Sequence, residues 1–304
     1  MMYILLLLGF VLLIKGADYF VEASSSVAKS LRVPSIIIGL TIVAFGTSAP
    51  ELAVSVTAAM EGNNDIAVGN VLGSNLFNLL VVLGACGVIL PIKVKLRWDY
   101  FATLIVSIVL LGLIAFDLKL GRADGILLLG LFLTFLGLTI RDALVNRIQG
   151  TEEFEVLSPV RCIVYIIGGL AAIVFGGDLV VGNASKIATS FGLSQNLIGL
   201  TIVALGTSLP ELVTSVVASK KGENGLAIGN VIGSNLFNIL MVLALSATIS
   251  PITINPLSVQ DAVILILSTV ITLILCRRKN EISRLDGALM IGMYAVYMAF
   301  IILR

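Results

Sequence analysis

Two glutamates, Glu51 and Glu211, stand in the middle of long apolar stretches. A carboxylate at bilayer depth costs about 2.5–3.5 kcal/mol on insertion scales, so two of them at matched positions mark a place that needs charge. Each closes the string Gly-Thr-Ser-x-Pro-Glu. On a helix, Thr47, Ser48 and Glu51 share one face within a turn, as do Thr207, Ser208 and Glu211. Pro50 and Pro210 have no N–H, so the carbonyls of Gly46 and Gly206 lose their helical partners. In a dry environment those oxygens must find another partner, and a cation supplies one. The next apolar stretch of each half adds Asn70, Ser74 and Asn78, and Asn230, Ser234 and Asn238, at i, i+4 and i+8 on one face. For Asn70, Asn75, Asn230 and Asn235, hydrogen bonding between helices stands beside cation ligation as a reading.

Every candidate ligand is an oxygen. Oxygen-only coordination favours hard cations such as Ca²⁺, Mg²⁺ and Na⁺ over Zn²⁺ or Cu²⁺. Two carboxylates balance one divalent ion, and they also permit more than one Na⁺ in its place. Competition of two ions for one site is the basis of exchange. The chain has no His, which removes the usual proton shuttle and the Ser-His and Cys-His catalytic pairs. No Lys accompanies the paired motifs, so a buried-serine hydrolase is excluded. Cys86, Cys162 and Cys276 are scattered, and are expected to be buried packing residues. Asp18 and Asp178 fall within the first span of each half. They could line an ion path; a paired or interfacial structural role is the preferred reading, with Lys15 pairing with Asp18 or snorkelling.

These residues must be positioned by membrane helices. The chain has 304 residues, 58% hydrophobic and 12% charged, with a mean hydropathy of +1.11. Soluble domains carry roughly 25% charged residues. The net charge of +1 makes no case for nucleic acid. Apolar runs predict ten spans, near 2–28, 35–60, 65–90, 99–117, 123–141, 159–188, 195–219, 225–250, 259–276 and 285–303. The first run lacks a basic leader region and a cleavage site, so it is read as a helix. GLTIVAFGTSAPELAVSV at Gly39 returns as GLTIVALGTSLPELVTSV at Gly199, and AVGNVLGSNLFNLL at Ala67 as AIGNVIGSNLFNIL at Ala227. The offset of 160 residues divides the chain into two five-helix repeats, 1–141 and 159–304, joined by a polar linker at 142–158. Five is odd, so the second repeat enters the membrane from the opposite side. The fold class is therefore an all-α polytopic membrane protein of ten helices in two inverted repeats. With the N-terminus outside, Lys and Arg concentrate on the inner loops, which predicts a cell-membrane protein with both termini extracellular. Trp98 reads as an interfacial anchor. Gly69 and Gly73, with Gly229 and Gly233, form GxxxG patterns for close helix approach.

The paired strings GTSAPE with GNVLGSNLFN, and GTSLPE with GNVIGSNLFN, resemble the two alpha repeats of the cation/calcium exchanger superfamily, within it the sodium/calcium exchangers and their prokaryotic relatives. The resemblance spans the whole chain in architecture and is dense in the two repeats. It implies Na⁺ and Ca²⁺ as transported ions and no cofactor, by alternating access. It assigns cation ligation to Thr47, Ser48, Glu51, Ser74, Asn78, Thr207, Ser208, Glu211, Ser234 and Asn238, with the backbone carbonyls of Ala44 and Ala204. It implies that the two long first helices slide against the other eight. Three Na⁺ for one Ca²⁺ would move one charge, worth about 2.3 kcal/mol per 100 mV. The potassium-dependent branch carries Asp where this chain has Asn238, which argues against K⁺ dependence. A Ca²⁺/H⁺ antiporter is the alternative on the same fold, although that branch carries a different acidic motif. Beyond its ions and the bilayer, no obligate protein partner is expected. The linker is too short for a large calcium-sensing domain.

Overall fold

The computed structural model describes residues 1–94, 97–147, 156–192 and 204–303, with the side chains of Ala204 and Lys279 excepted. The described chain is helical apart from four two-residue strands. In order it runs α1 (Met2–Leu31), α2 (Ser35–Thr47), α3 (Ala49–Met60), α4 (Asn64–Ile89), β1 (Ile92–Lys93), α5 (Trp98–Asp117), β2 (Lys119–Leu120) and α6 (Arg122–Val145). The second half runs α7 (Pro159–Ser190), α8 (Ala204–Gly206), α9 (Leu209–Lys220), α10 (Asn224–Ile249), β3 (Ile252–Thr253), α11 (Pro256–Lys279), β4 (Glu281–Ile282) and α12 (Arg284–Leu303). Eight described helices are long and apolar enough to cross a membrane, and nine if α2 and α3 form one span. The predicted span at 195–219 lies partly outside the described residues. The helix α6 continues four residues past its predicted end at 141, into the stretch read as linker. At the far side of that linker, the Ser158 side chain caps α7 by accepting from the Arg161 N–H at 3.4 Å.

The two halves exchange equivalent contacts. The first helices, α1 and α7, lie against each other along their lengths. A Cβ on Gly16 would sit 2.8 Å from the carbonyl of Gly169, and one on Gly9 would sit 2.9 Å from that of Gly176. The residues pair in opposite chain directions, so the two helices are antiparallel. Gly9 and Gly169, and Gly16 and Gly176, are also counterparts at the 160-residue offset, so each contact maps onto the other. The short ladders obey the same rule. Ile92 pairs with Ile282 and Lys93 with Glu281, while Ile252 pairs with Leu120 and Thr253 with Lys119. No sequence pattern announced these strands, because two residues bridging distant loops carry no periodicity.

The core falls into two clusters. The larger is built around α4 and α10, the most buried of the spans, with α5, α6, α11 and α12 around them. The smaller joins α1 and α7 to the start of α2 and to the α9–α10 corner, through Leu13, Phe20, Ile173 and Val180. Exposed apolar side chains such as Ile4, Leu7, Leu133, Ile163 and Ile167 coat the outer helices, as a lipid-facing surface requires. Cys86 and Cys276 are buried, as expected, while Cys162 is only half-buried; all three are free thiols. Trp98 packs its ring 5.9 Å from Phe135, beside Arg97, which is bonded to Asp99 at 3.1 Å and to Asp142. Burial opposes the charge on Arg97, but the two carboxylates outweigh it and hold the guanidinium above its usual range.

The second GxxxG pattern marks a tight crossing of two spans. A Cβ on Gly229 would lie 2.5 Å from the Ile36 carbonyl and 2.9 Å from the Cα of Gly39, both immovable backbone atoms. Gly69 and Gly73 have no such contact among the described residues. Gly229→Val should therefore cost about 1–3 kcal/mol of stability. A thermal midpoint in detergent equal to that of the parent protein would show that the crossing is not tight.

Candidate functional site

The sequence reads 35–60 as one span through Pro50, and the structure instead breaks it. The helix α2 ends at Thr47, Ser48 sits at φ −85° and ψ 8°, and α3 restarts at Ala49 with its axis bent by 48°. The physical reason lies with Pro50. Inside a continuous helix its ring would clash with the carbonyl of Gly46, whereas in the first turn of a new helix its missing N–H costs nothing. Ser208, at φ −92° and ψ 6°, breaks the second repeat in the same way ahead of Pro210. The consequence is electrostatic. Glu51 and Glu211 fall in the first turns of α3 and α9, where unpaired N–H groups and the helix dipole favour negative charge.

Both glutamates are 0% exposed, and each is held by both repeats. Glu51 Oε1 accepts from Ser74 of its own half at 3.3 Å and from Ser208 of the other at 3.1 Å. Glu211 Oε1 accepts from Ser234 at 3.4 Å and from Ser48 at 3.0 Å. Ser208 also reaches the Ser74 hydroxyl at 3.0 Å. The structure thus brings Ser48, Glu51, Ser74, Ser208, Glu211 and Ser234 into one buried cluster. Thr47 and Thr207 take a different position. They donate to the amide oxygens of Asn230, at 3.0 Å, and Asn70, at 3.3 Å. The Ala44 carbonyl already accepts the Ser48 N–H at 3.0 Å and the Thr47 hydroxyl at 3.5 Å. Ala204 opens the short helix α8, and its side chain lies outside the description.

The asparagines separate into roles that the sequence left open. Asn70 donates to the Glu51 carbonyl at 3.2 Å and to Ser55 at 2.9 Å, and Asn230 donates to the Glu211 carbonyl at 3.4 Å and to Ser215 at 2.9 Å. They hold the glutamate backbone. Asn75 and Asn235 each donate to the other's backbone carbonyl, at 3.1 and 3.2 Å, and tie α4 to α10. Asn78 and Asn238 each open a π-helical turn, a local widening that recurs at functional sites. Asn238 donates to the Asn75 amide oxygen at 3.0 Å. Sequence reasoning missed Ser55 and Ser215, which bond the carbonyls of Ala67 and Ala227 and receive the Asn70 and Asn230 amides. Their recurrence at the repeat offset, one turn beyond each glutamate, was the available signal.

Several buried oxygens of the centre find no donor among the described residues: the second carboxylate oxygens of Glu51 and Glu211, and the amide oxygens of Asn78, Asn235 and Asn238. Leaving a buried acceptor unmatched costs about 1–3 kcal/mol each, and a hard cation is the partner that suits all of them. Asp18 and Asp178 part ways. Asp18 pairs with Lys221 at 2.6 Å rather than with Lys15. Asp178 is exposed and lines a cavity of ≈ 460 Å³ together with Thr207, Pro50 and Pro210.

An apolar helical bundle with a buried, two-carboxylate, oxygen-only centre between repeated broken helices defines a membrane transporter of cations. The comparisons assign its family. The family profile described as "Sodium/calcium exchanger protein" matches residues 1–141 and 162–303. The putative antiporter CaxA of Alkalimonas amylolytica is 42% identical, over 97% of this chain and 96% of its own. The sodium/calcium exchanger MaX1 of Methanosarcina acetivorans is 31% identical, over 97% of each chain. A solved structure of the sodium-calcium exchanger NCX_Mj, soaked with zero Na⁺ and Ca²⁺, superposes with a TM-score of 0.87 at 32% identity, covering 99% of this chain and 98% of that one. The chain belongs to the sodium/calcium exchanger family; it is a cation/Ca²⁺ antiporter and not an enzyme.

The two amide pairs should respond differently to mutation. Asn235→Ala removes the tie to the Asn75 carbonyl and should lower stability by about 1 kcal/mol or more. Unfolding in detergent checks this, and an unchanged midpoint would return Asn235 to the ion-facing set.

Proposed function

We propose that the protein exchanges Na⁺ for Ca²⁺ by alternating access, with the ions bound between two inverted five-helix repeats, 1–141 and 159–304, linked on the cytoplasmic side by 142–158. Ca²⁺ and Na⁺ compete for oxygens of Glu51, Glu211, Ser48, Ser208, Ser74, Ser234, Asn78 and Asn238, with Thr47, Thr207 and the carbonyls of Ala44 and Ala204 at the margins. The observation that carries this reading is the pair of fully buried glutamates, each held by a serine of the opposite repeat and each keeping one oxygen without a donor among the described residues. Two charges neutralise one Ca²⁺, and Na⁺ ions replace it without a change of ligand type. The relatives named as sodium/calcium exchangers support the choice of ions.

The antiparallel α1–α7 pair supports inversion, since counterpart helices then run in opposite directions. The ladders support the alternation of the loops between the two sides, and the Lys and Arg bias is what supports both termini outside. The ladders join the loops at 92–93 and 281–282, which that topology places inside, and the loops at 119–120 and 252–253, which it places outside. The thinner core that joins α1 and α7 to α2, α9 and α10 is the interface along which these two helices would slide against the remainder.

Tracer Ca²⁺ uptake into Na⁺-loaded proteoliposomes tests the reading, with Na⁺, K⁺ and pH gradients imposed separately. Uptake should follow the Na⁺ gradient; uptake that follows only the pH gradient would establish a Ca²⁺/H⁺ antiporter instead. Glu51→Gln and Glu211→Gln should each weaken Ca²⁺ transport by at least about tenfold while the protein remains folded, because ligand charge sets divalent affinity. Normal exchange in either variant refutes the site. Asn238→Asp should alter the relative dependence on Na⁺, K⁺ and Ca²⁺ with little change in thermal midpoint, and identical ion dependence would reduce Asn238 to a packing residue.

A further inference from the structure

We infer that Asp178 recruits the divalent cation at the entrance to the site, and that its counterpart in the first repeat, Asp18, is withdrawn from that role by Lys221. The inference rests on the exchange reading above.

The two threonines of the paired motifs are unequal. Thr47 is fully buried, while Thr207 is half-buried and lines the ≈ 460 Å³ cavity with Asp178. Thr207 donates to the amide oxygen of Asn70, and Asn70 in turn donates to the Glu51 carbonyl. The cavity therefore ends two hydrogen bonds from a site glutamate. Asp178 lies in the C-terminal half of α7, within a span, and its carboxylate makes no ion pair with any described residue. An exposed carboxylate at that depth is tolerated only where it faces water, so the cavity is aqueous.

The opposite side is built differently. Lys221 Nζ lies 2.6 Å from Asp18 Oδ1 and donates to the Asp18 carbonyl at 2.9 Å. Ser25 donates to Glu223 of the same turn, and Lys29 lies 4.0 Å from Glu223. A cavity of ≈ 650 Å³ there is lined by Glu22, Lys29, Lys221 and Glu223 and touches none of the site residues. At the repeat offset, Lys221 corresponds to Glu61. An acid at that position cannot neutralise Asp178. The asymmetry is thus written in the sequence as well as in the contacts.

A negative charge in a cleft with apolar walls focuses its field and raises the local concentration of cations. A fixed potential enriches a divalent ion by the square of the factor for a monovalent one, so Asp178 favours Ca²⁺ over Na⁺ at the approach. Its effect is on association and is screened by salt.

The test is the rate of Ca²⁺ association with the purified full-length protein, by stopped flow with a Ca²⁺ indicator. Asp178→Asn should slow association about threefold or more at ~10 mM ionic strength, and the difference should largely vanish at ~0.5 M. In proteoliposomes the half-saturating Ca²⁺ concentration should rise by the same factor, with a much smaller change in maximal rate. Asp178→Glu should preserve the parent's behaviour, and Asp18→Asn should leave association unchanged. Unchanged association in Asp178→Asn at low salt overturns the proposal, as does a slowing that persists at high salt or a matching loss of maximal rate. Failure of the exchange reading shows separately, as uptake by the parent protein that ignores the Na⁺ gradient.

Discussion

Each repeat carries a carboxylate that its own half does not fully hold. The Ser208–Glu51 and Ser48–Glu211 bonds cross between the halves, and the rest of the centre follows from them. A charge at bilayer depth is costly unless partners surround it, so each half supplies part of the other's stabilisation. The two bonds are reciprocal, each joining counterpart residues of the two halves. The breaks at Ser48 and Ser208 make this possible by placing each glutamate in a first helical turn, where the backbone itself offers positive potential.

Glycine sets how closely the frame can close around this centre. Gly229 admits the Ile36–Leu40 backbone against α10, and the Gly9–Gly176 and Gly16–Gly169 contacts bring α1 and α7 together along two turns of each. In lipid, close packing replaces the hydrophobic effect as the force between helices, so small residues do what large apolar ones do in water. The outcome is a dense core on α4 and α10 and a second, thinner core on α1 and α7.

The site's chemistry was legible because it is written twice. Glu51 with Glu211 and Ser74 with Ser234 were recognisable from type, depth and repetition. The geometry between them was not. A proline predicts disruption, but whether a helix bends or restarts depends on what the freed groups meet. The asparagines show the same limit. At the helical spacing of four, Asn70 and Asn78 look alike, yet Asn70 binds backbone and neither amide atom of Asn78 has a partner among the described residues. Ser55 and Ser215 carried the repeat signal and were overlooked because hydroxyls in helices are common.

The sequence by itself determined the class of protein, the two repeats, the two carboxylates and the oxygen-only chemistry. These follow from composition, hydropathy and a fixed offset, which are properties of the chain alone. Only the tertiary structure decided which serine meets which glutamate, which amides tie helices and which stay unmatched, and why Asp18 is paired while Asp178 faces a cavity. The cross-repeat outcomes depend on contacts between residues more than 130 positions apart, such as Thr207 with Asn70 and Lys221 with Asp18, and no local pattern encodes a partner at that distance.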